Sequence, residues 1–516
     1  MTLVLRAQHE ARQYDARPPS RNQRLPVGVV LAAMATSIAL RARFVNTPIT
    51  SDEGGYLAVA RAWESGKQLY TDAWVDRPQG LVVLFRAWDD LTGGSGPALR
   101  VMAMLFGCLA VVGVAYTALA IAGPRAAGVA AFLVAVASAN ARIEGFIANG
   151  ELLAGGAGAA AVAIVCGYLF RGHGRSWLFT GGVVAGLAVS LKQSGCDGLL
   201  AVLLCLAAGA ITRERTSREA AKECGVFLAG VASVLAMLFL HGLVVGLGAW
   251  WYALAGYRLE GINATSRADW NRFGTTARLA APTMLPLAGL AIVGVVVWAA
   301  RSRRITRASL LLPAWVCFAV ITFLAGGLFH RHYWVTLTFP LAAAAAVTVA
   351  RIRSRVVVML IACLALIPSL ISTIHVIVLN RGAAAQLASD DPRSLINERV
   401  ADWYEQHRTP GSTLYAMCAS AAVYADADAI PPYPYLWEDG VLNGRNAQDK
   451  LVELFAGNNP PTFVVQYQSA DICNPDGRVA PLLRERFAPA ATIDGLAIFT
   501  LRPGPPAAVP VASHSQ

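Results

Sequence analysis

Ser51-Asp52-Glu53-Gly54-Gly55-Tyr56 follows the first long apolar run of the chain, Leu25 to Leu40, and leads through Tyr70 to Asp76-Arg77-Pro78-Gln79-Gly80. Two adjacent carboxylates thus stand at the mouth of a membrane helix, where ionisable side chains are costly and mark chemistry. An amphipathic run follows them, with Leu57, Ala60 and Trp63 on one side and Arg61, Glu64 and Lys67 on the other, a pattern that lies along a bilayer surface. A plainer reading is equally open. Ser51, Asp52 and Glu53 all suit a helix N-terminus, capping its free N–H groups and facing the positive end of its dipole.

Leu25 to Leu40 is read as a membrane helix because of its context. Of 516 residues, 56% are hydrophobic and 15% charged, and the mean hydropathy is +0.49, which excludes an ordinary multidomain soluble protein. The first 25 residues are polar and Arg-rich, and the run after them has no small-residue cleavage site, so no cleaved signal peptide is expected. Taking apolar runs of about 17–25 residues as spans, the chain is expected to be an all-α polytopic membrane protein of about 11 transmembrane helices. They fall near 26–44, 98–122, 126–141, 152–170, 176–191, 196–211, 224–249, 279–300, 308–327, 334–350 and 356–378. Ala- and Gly-rich spans, such as Leu152 to Gly167 and Gly181 to Ala188, let helix backbones approach closely in lipid.

The net charge of +11 reports topology. Basic residues fall on every second loop: Arg12, Arg17, Arg21 and Arg24; Arg125; Arg171 and Arg175; Arg213, Arg215 and Arg218; Arg301, Arg303, Arg304 and Arg307; Arg351, Arg353 and Arg355. By the positive-inside rule the N-terminus is cytoplasmic, the C-terminus is outside, and no nucleic-acid partner is expected. This alternation requires separate spans on either side of Lys192-Gln193-Ser194-Gly195; fused, they would place the later Arg-rich loops on the wrong side.

Composition changes after about Gly382. Residues 383–398 can form a linker, Ile396 to Gln406 reads as an amphipathic helix, and Ser412 to Met417, Thr462 to Tyr467 and Leu496 to Leu501 read as strands. The expected layout is a cytoplasmic segment at 1–25, a membrane domain at 26–380, a small extracytoplasmic α/β domain at 381–502 and a Pro/Ala-rich disordered tail at 503–516. Pro431 to Trp437 is too Pro-rich for a helix or central strand and reads as a loop. Seven of the nine cysteines lie in or beside apolar spans. Cys418 and Cys473 lie in the polar C-terminal region, where a disulfide and two separate thiols are both open readings.

With this topology one face collects Asp52 and Glu53, then Arg142, Glu144, Asn149 and Glu151, then Lys192 and Gln193, the loop from Trp250 to Thr276, and Phe329-His330-Arg331-His332-Tyr333. Singly, Lys192 could snorkel, the aromatics could form an interfacial belt, and the histidines could be satisfied at the interface. Five loops converging on one face point instead to a shared site. Carboxylates beside cations at a bilayer suit group transfer from an anionic lipid carrier: cations stabilise the departing phosphate, and a carboxylate takes the acceptor hydroxyl proton. Lys192, Arg331, His330, His332 and Arg77 are the cations; Asp52, Glu53 and Glu151 are the acids.

In order, Asp52-Glu53-Gly54-Gly55-Tyr56, Arg77-Pro78, Asn149-Gly150-Glu151, Leu191-Lys192-Gln193 and His332-Tyr333 resemble the motifs of GT-C glycosyltransferases. The similarity is to the bacterial branch of protein O-mannosyltransferases, lipid A aminoarabinose transferases and rhizobial lipopolysaccharide galacturonosyltransferases, and it covers Ser51 to about Ala350. It implies an inverting membrane transferase that moves a sugar from a polyprenyl-phosphate donor to an envelope polysaccharide, lipid or protein at the outer face of a bacterial plasma membrane. Asp52 would be the base, with Glu53 beside it. Lys192, Arg331, His332, Tyr333 and Arg77 would meet the donor phosphate, and Tyr56, Glu151, Gln193 and His330 the substrate. In some members a divalent metal is held at the second acidic site, which would here involve Asp52 and Glu151. Arg77-Pro78-Gln79 departs from the family's usual Lys-Pro-Pro. Ala-, Gly- and Arg-rich usage associates the chain with a high-GC bacterium such as an actinobacterium building arabinan or mannan, an association that leaves sugar and acceptor open. The competing readings are a transporter or flippase of a polyprenyl-linked sugar, which would place polar residues mid-span in repeated halves, and a non-catalytic membrane scaffold.

Overall fold

A computed structural model describes residues 23–261, 267–301, 305–389, 393–418 and 420–503. The expected N-terminal segment lies almost wholly outside these residues, as does the tail beyond 503. The chain divides into two compact units: residues to Pro48 with Asp76–Pro392, and Ile49–Val75 with the residues from Arg393 onward.

The first unit is helical and makes the chain a multi-pass membrane protein. Among the described residues, eight helices are long and apolar enough to cross a bilayer: Gly96–Ala122, Gly150–Arg171, Gln193–Ile211, Ser217–Val245, Asp269–Ala300, Arg307–Ala325, Arg331–Val349 and Arg355–Ile377. Three shorter apolar helices, Val27–Ala42, Pro124–Ala137 and Ser176–Leu191, lie where three further spans are expected. At about 1.5 Å per residue they rise only ~21–24 Å against a hydrocarbon core of about 30 Å, so length alone supports eight spans rather than eleven. Small residues set the packing, as their positions predict. A Cβ on Gly113 would come 2.7 Å from the Ala159 carbonyl carbon, and one on Gly156 would come 2.7 Å from the Phe106 carbonyl oxygen. Helices Gly96–Ala122 and Gly150–Arg171 therefore meet backbone to backbone.

Two buried guanidiniums shape the loops at one end of this bundle. Arg41 donates through Nε to the Gly145 carbonyl (2.8 Å) and through Nη2 to that of Ser138 (2.9 Å). Arg100 donates to the carbonyls of Phe44 (3.3 Å) and Pro48 (2.9 Å) and lies over the Phe146 ring. Carbonyls that would otherwise be buried without donors are thereby satisfied, and residues 138–146 are held in place. Nearby, Asn140 Nδ2 donates to Thr283 Oγ1 (2.8 Å) and Ser369 Oγ (3.1 Å), linking helices Arg267–Arg301 and Arg355–Ile377.

The second unit carries a four-stranded sheet: β1 (Leu414–Met417), β2 (Phe463–Gln466), β3 (Phe487–Ile493) and β4 (Leu496–Leu501), in the order β1-β2-β4-β3. β1 pairs parallel to β2, with Leu414 opposite Phe463; β4 runs antiparallel to both β2 and β3. β1, β2 and β4 match the expected strands. β3 was not expected, because Ala488, Pro489 and Ala490 disguise it; at the sheet edge, with a register shift between Pro489 and Ala491, a missing N–H is tolerated. Ser394–His407 is the expected helix, whereas Arg381–Ala388, which overlaps the start of the expected linker, is also helical and is capped by Asn380.

Helix Ser51–Glu64 belongs to this unit and is not a surface helix. Glu53 to Ala60 and Ala62 are all buried. Its glycines admit close neighbours: a Cβ on Gly54 would strike the Ala422 backbone, and one on Gly55 would come within 2.8 Å of Trp437 Cη2 and 2.9 Å of Ala421 Cβ. The Pro-rich stretch is core as well. Tyr433, Tyr435 and Leu436 are buried, Trp74 N donates to the Pro434 carbonyl (3.1 Å), and the Trp74 and Tyr435 rings lie 5.1 Å apart.

Candidate functional site

Six separate pieces of the first unit bring ionisable side chains into one buried cluster. Helix Gly150–Arg171 starts at Asn149, whose Oδ1 accepts from Leu152 N at 2.9 Å, so Glu151 sits in its first turn. Lys192 is the extended residue that ends helix Ser176–Leu191. Its stem lies against Gly150, where a Cβ would be only 3.0 Å from Lys192 Cδ. The absence of a side chain at Gly150 is what lets the ammonium reach Glu151. The two form a buried ion pair, with Lys192 Nζ 4.6 Å from the centroid of the Tyr333 ring.

His332 lies in the one-turn helix Arg331–Trp334, and both of its ring nitrogens face carboxylates. Nδ1 is 2.7 Å from Glu144 Oε2, and Nε2 is 3.8 Å from Glu151 Oε1. Glu144 takes a left-handed conformation (φ 55°), as does Phe329 (φ 50°) just before His330. Such residues cost about 1–3 kcal/mol each and persist where surroundings over-determine them; Arg41, bonded to the flanking Gly145 and Ser138 carbonyls, supplies that constraint at Glu144. His330 stacks on His332 with centroids 5.5 Å apart.

The third part is Asp76, bonded to Arg77 Nη1 (2.6 Å) and to Arg258. Burial alone would raise the Asp76 carboxyl, but Arg258 and then Arg77 hold it well below the usual carboxylate range. Asp76 in turn raises the Arg258 guanidinium. Arg258 reaches this position from helix Tyr257–Gly261, which follows a π-helical turn at Tyr252–Gly256; such turns are frequent at functional sites. Gln193 Nε2 donates to the carbonyls of Asp76 (3.0 Å) and Leu254 (3.1 Å), tying these stretches together.

Of the expected site residues, this cluster therefore unites Arg77, Glu151, Lys192, Gln193, His330, His332 and Tyr333. Arg331 donates instead to the Leu387 carbonyl at 2.9 Å. Asp76, Glu144 and Arg258 complete the charges. Asp76 stands in the opening stretch, Glu144 among the residues expected at the shared face and Arg258 within the loop from Trp250 to Thr276, but nothing in the sequence signals a π turn or pairs Glu144 with His332.

Asp52, Glu53 and Tyr56 lie in the second unit. Glu53 is fully buried in a capping box, its carboxylate accepting from Thr50 N (3.1 Å) and Oγ1 (3.0 Å). The capping reading thus holds for Glu53. Asp52, one residue earlier, is only half-buried. Tyr56 packs 5.8 Å from the Trp437 ring. Glu151 bears on an ammonium and an imidazole, and among the described residues no group of three His, Cys, Asp or Glu is arranged to hold a metal ion. The chemistry below routes no step through a metal.

No protein-family model and no curated protein sequence matches the chain. Solved structures share its fold. ArnT from Cupriavidus metallidurans bound to undecaprenyl phosphate aligns over 92% of this chain and 97% of its own, at 14% identity and a TM-score of 0.59. The Archaeoglobus fulgidus oligosaccharyltransferase tethered to an acceptor peptide aligns over 90% and 72%, at 15% identity and a TM-score of 0.57. Archaeal oligosaccharyltransferase AglB, in complex with an inhibitory peptide and a dolichol-phosphate, aligns over 85% and 69%, at 14% and 0.54. The chain has the GT-C fold.

Proposed function

We propose that the protein transfers a sugar, with inversion, from a polyprenyl-phosphate donor to a cell-envelope acceptor. The observation that carries this reading is the buried cluster of Lys192, Arg77, Arg258 and His332 balanced against Glu144, Glu151 and Asp76, built at loop ends of a GT-C bundle. Buried charges are retained where they are paired, and a paired set already in place needs no reorganisation when a charged phosphate arrives and departs. Proteins of the same fold have been solved with undecaprenyl phosphate and dolichol-phosphate bound, which supports a lipid-linked donor.

The step breaks the bond between the sugar anomeric carbon and the phosphate oxygen, whose electron pair stays on the polyprenyl phosphate. Lys192, with Arg77 and Arg258, stabilises that charge, while Tyr333 and Gln193 hold the cations in position. The acceptor oxygen attacks the opposite face of the anomeric carbon and gives its proton to Asp52. Because Glu53 is committed to its helix cap, Asp52 is the base of the two in this reading. The reading places the N-terminus in the cytoplasm, counts the three shorter apolar helices as spans, and puts the second unit outside the plasma membrane.

The test is purified protein in lipid with a panel of radiolabelled polyprenyl-phosphate sugars and an envelope extract as acceptor. Transfer by the wild type and a loss of about a hundredfold or more in Asp52→Asn, the scale of a general base, support the reading. Lipid binding by folded protein without transfer from any donor refutes it in favour of transport.

A further inference from the structure

Two fully buried asparagines of the first unit, Asn140 and Asn149, both cap a helix, and they differ in what the rest of the amide does. Each accepts a backbone N–H through Oδ1, from Arg142 N (2.8 Å) at Asn140 and from Leu152 N (2.9 Å) at Asn149. The oxygen is thereby assigned in both, and Nδ2 is a donor of two hydrogens. Asn140 gives that nitrogen to Thr283 Oγ1 and Ser369 Oγ. Asn149 Nδ2 is buried and meets no acceptor among the described residues. A cap needs only the oxygen: Asp or Ser would close the helix end as well, without leaving a buried donor unanswered.

The surroundings of Asn149 select the acceptor. It stands at the start of the 22-residue helix Gly150–Arg171, where the first-turn N–H groups precede any intrahelical acceptor and the helix dipole presents its positive end. The Lys192 stem lies against the next residue, Gly150, and its ammonium pairs with Glu151. Glu151, the acid of that turn, is committed to Lys192 and stands 3.8 Å from His332. A neutral donor beside a helix N-terminus and an ammonium is suited to an anionic oxygen, to which its hydrogen bond is stronger than to a hydroxyl. We propose that Asn149 Nδ2 donates to a phosphate oxygen of the polyprenyl-phosphate donor, so that the start of helix Gly150–Arg171 forms part of the phosphate subsite beside Lys192. The assignment rests on the function proposed above and adds a contact of a different kind. The amide is neutral, so it holds the phosphate before and after the sugar leaves without altering the balance among Lys192, Glu151 and His332. Such uniform binding sets KM rather than kcat.

Asn149→Asp and Asn149→Ser test this, because both keep an oxygen for Leu152 N and remove the donor; thermal unfolding of each full-length variant in detergent checks the cap. Binding of a radiolabelled polyprenyl monophosphate is measured beside polyprenol as the phosphate-free control, together with transfer kinetics. Wild type is expected to prefer polyprenyl phosphate to polyprenol. Both variants should bind the phosphate about 10–100-fold more weakly, the scale of a hydrogen bond to a charged group, with polyprenol binding unchanged. KM for the sugar donor should rise by the same factor while kcat stays within a few-fold. Folded variants that bind polyprenyl phosphate as the wild type does overturn the proposal; a raised donor KM in those variants would place the amide on the sugar instead. Weakened binding in Asn149→Asp with normal binding in Asn149→Ser is charge repulsion alone and also overturns it. A wild type without preference for the phosphate refutes the function proposed above, and this contact with it.

Discussion

Lys192→Met isolates what the central ion pair does. Lys192 is 7% exposed and Glu151 3%, so removing the ammonium leaves a buried carboxylate without its paired cation, with His332 3.8 Å away. Breaking a buried pair from one side costs about 3–5 kcal/mol, whereas replacing both partners with neutral groups of similar volume is close to neutral or stabilising. Thermal unfolding followed by tryptophan fluorescence in detergent is therefore expected to fall by several degrees in Lys192→Met. It should return to the wild-type value in the double variant Lys192→Met/Glu151→Gln. Sugar transfer behaves differently. If the ammonium stabilises the departing phosphate, both variants lose about 10²–10³-fold in kcat. A stable double variant that transfers sugar at near the wild-type rate would show that Lys192 merely neutralises Glu151, and the proposed leaving-group role would be wrong.

Glu144→Gln, which keeps an acceptor for His332 Nδ1, should retain most transfer, while Glu144→Ala should lose about 10–100-fold, the cost of a hydrogen bond to a charged group; kcat and KM measured for both decide this. Gly55→Ala forces a Cβ against Trp437 and Ala421 and should destabilise the second unit by about 1–3 kcal/mol, read by denaturant unfolding. Asp76 has a depressed folded pKa, so its contribution to stability is fully present above the unfolded value of about 3.9 and is lost as pH falls toward the folded one. Stability should thus be flat from neutral pH to about 5 as far as Asp76 is concerned, and Arg258→Met should move the onset of acid unfolding to higher pH.

The membrane fold was legible because lipid leaves a backbone few options: long apolar runs become helices, and glycines such as Gly113 and Gly156 fall where backbones touch. Loops tied by charge were legible only in part. Asn149-Gly150-Glu151 and Lys192 could be expected to share a site from their common side, but the pairing of Glu144 with His332 depends on two left-handed residues and a buried arginine on a third helix. No local pattern encodes that geometry. The acidic loop shows why both first readings of Asp52-Glu53 were reasonable: adjacent carboxylates point in different directions on a helix, and one of them caps it. β3 escaped because an edge strand can be built from residues that would disqualify a central one.

The discontinuous make-up of the second unit bears on how the protein is made. Helix Ser51–Glu64 and Trp74 pack against Ala421, Ala422, Pro434, Tyr435 and Trp437. A ribosome adding 5–20 residues per second needs about 15–60 s to cover the roughly 320 residues from Val75 to Arg393. Throughout that interval the apolar face of residues 49–75 has been synthesised without its partners. The nascent chain must keep it from the wrong contacts, which makes this segment a point of vulnerability to proteases and chaperone capture. A truncation after the last membrane helix would leave it in that state permanently.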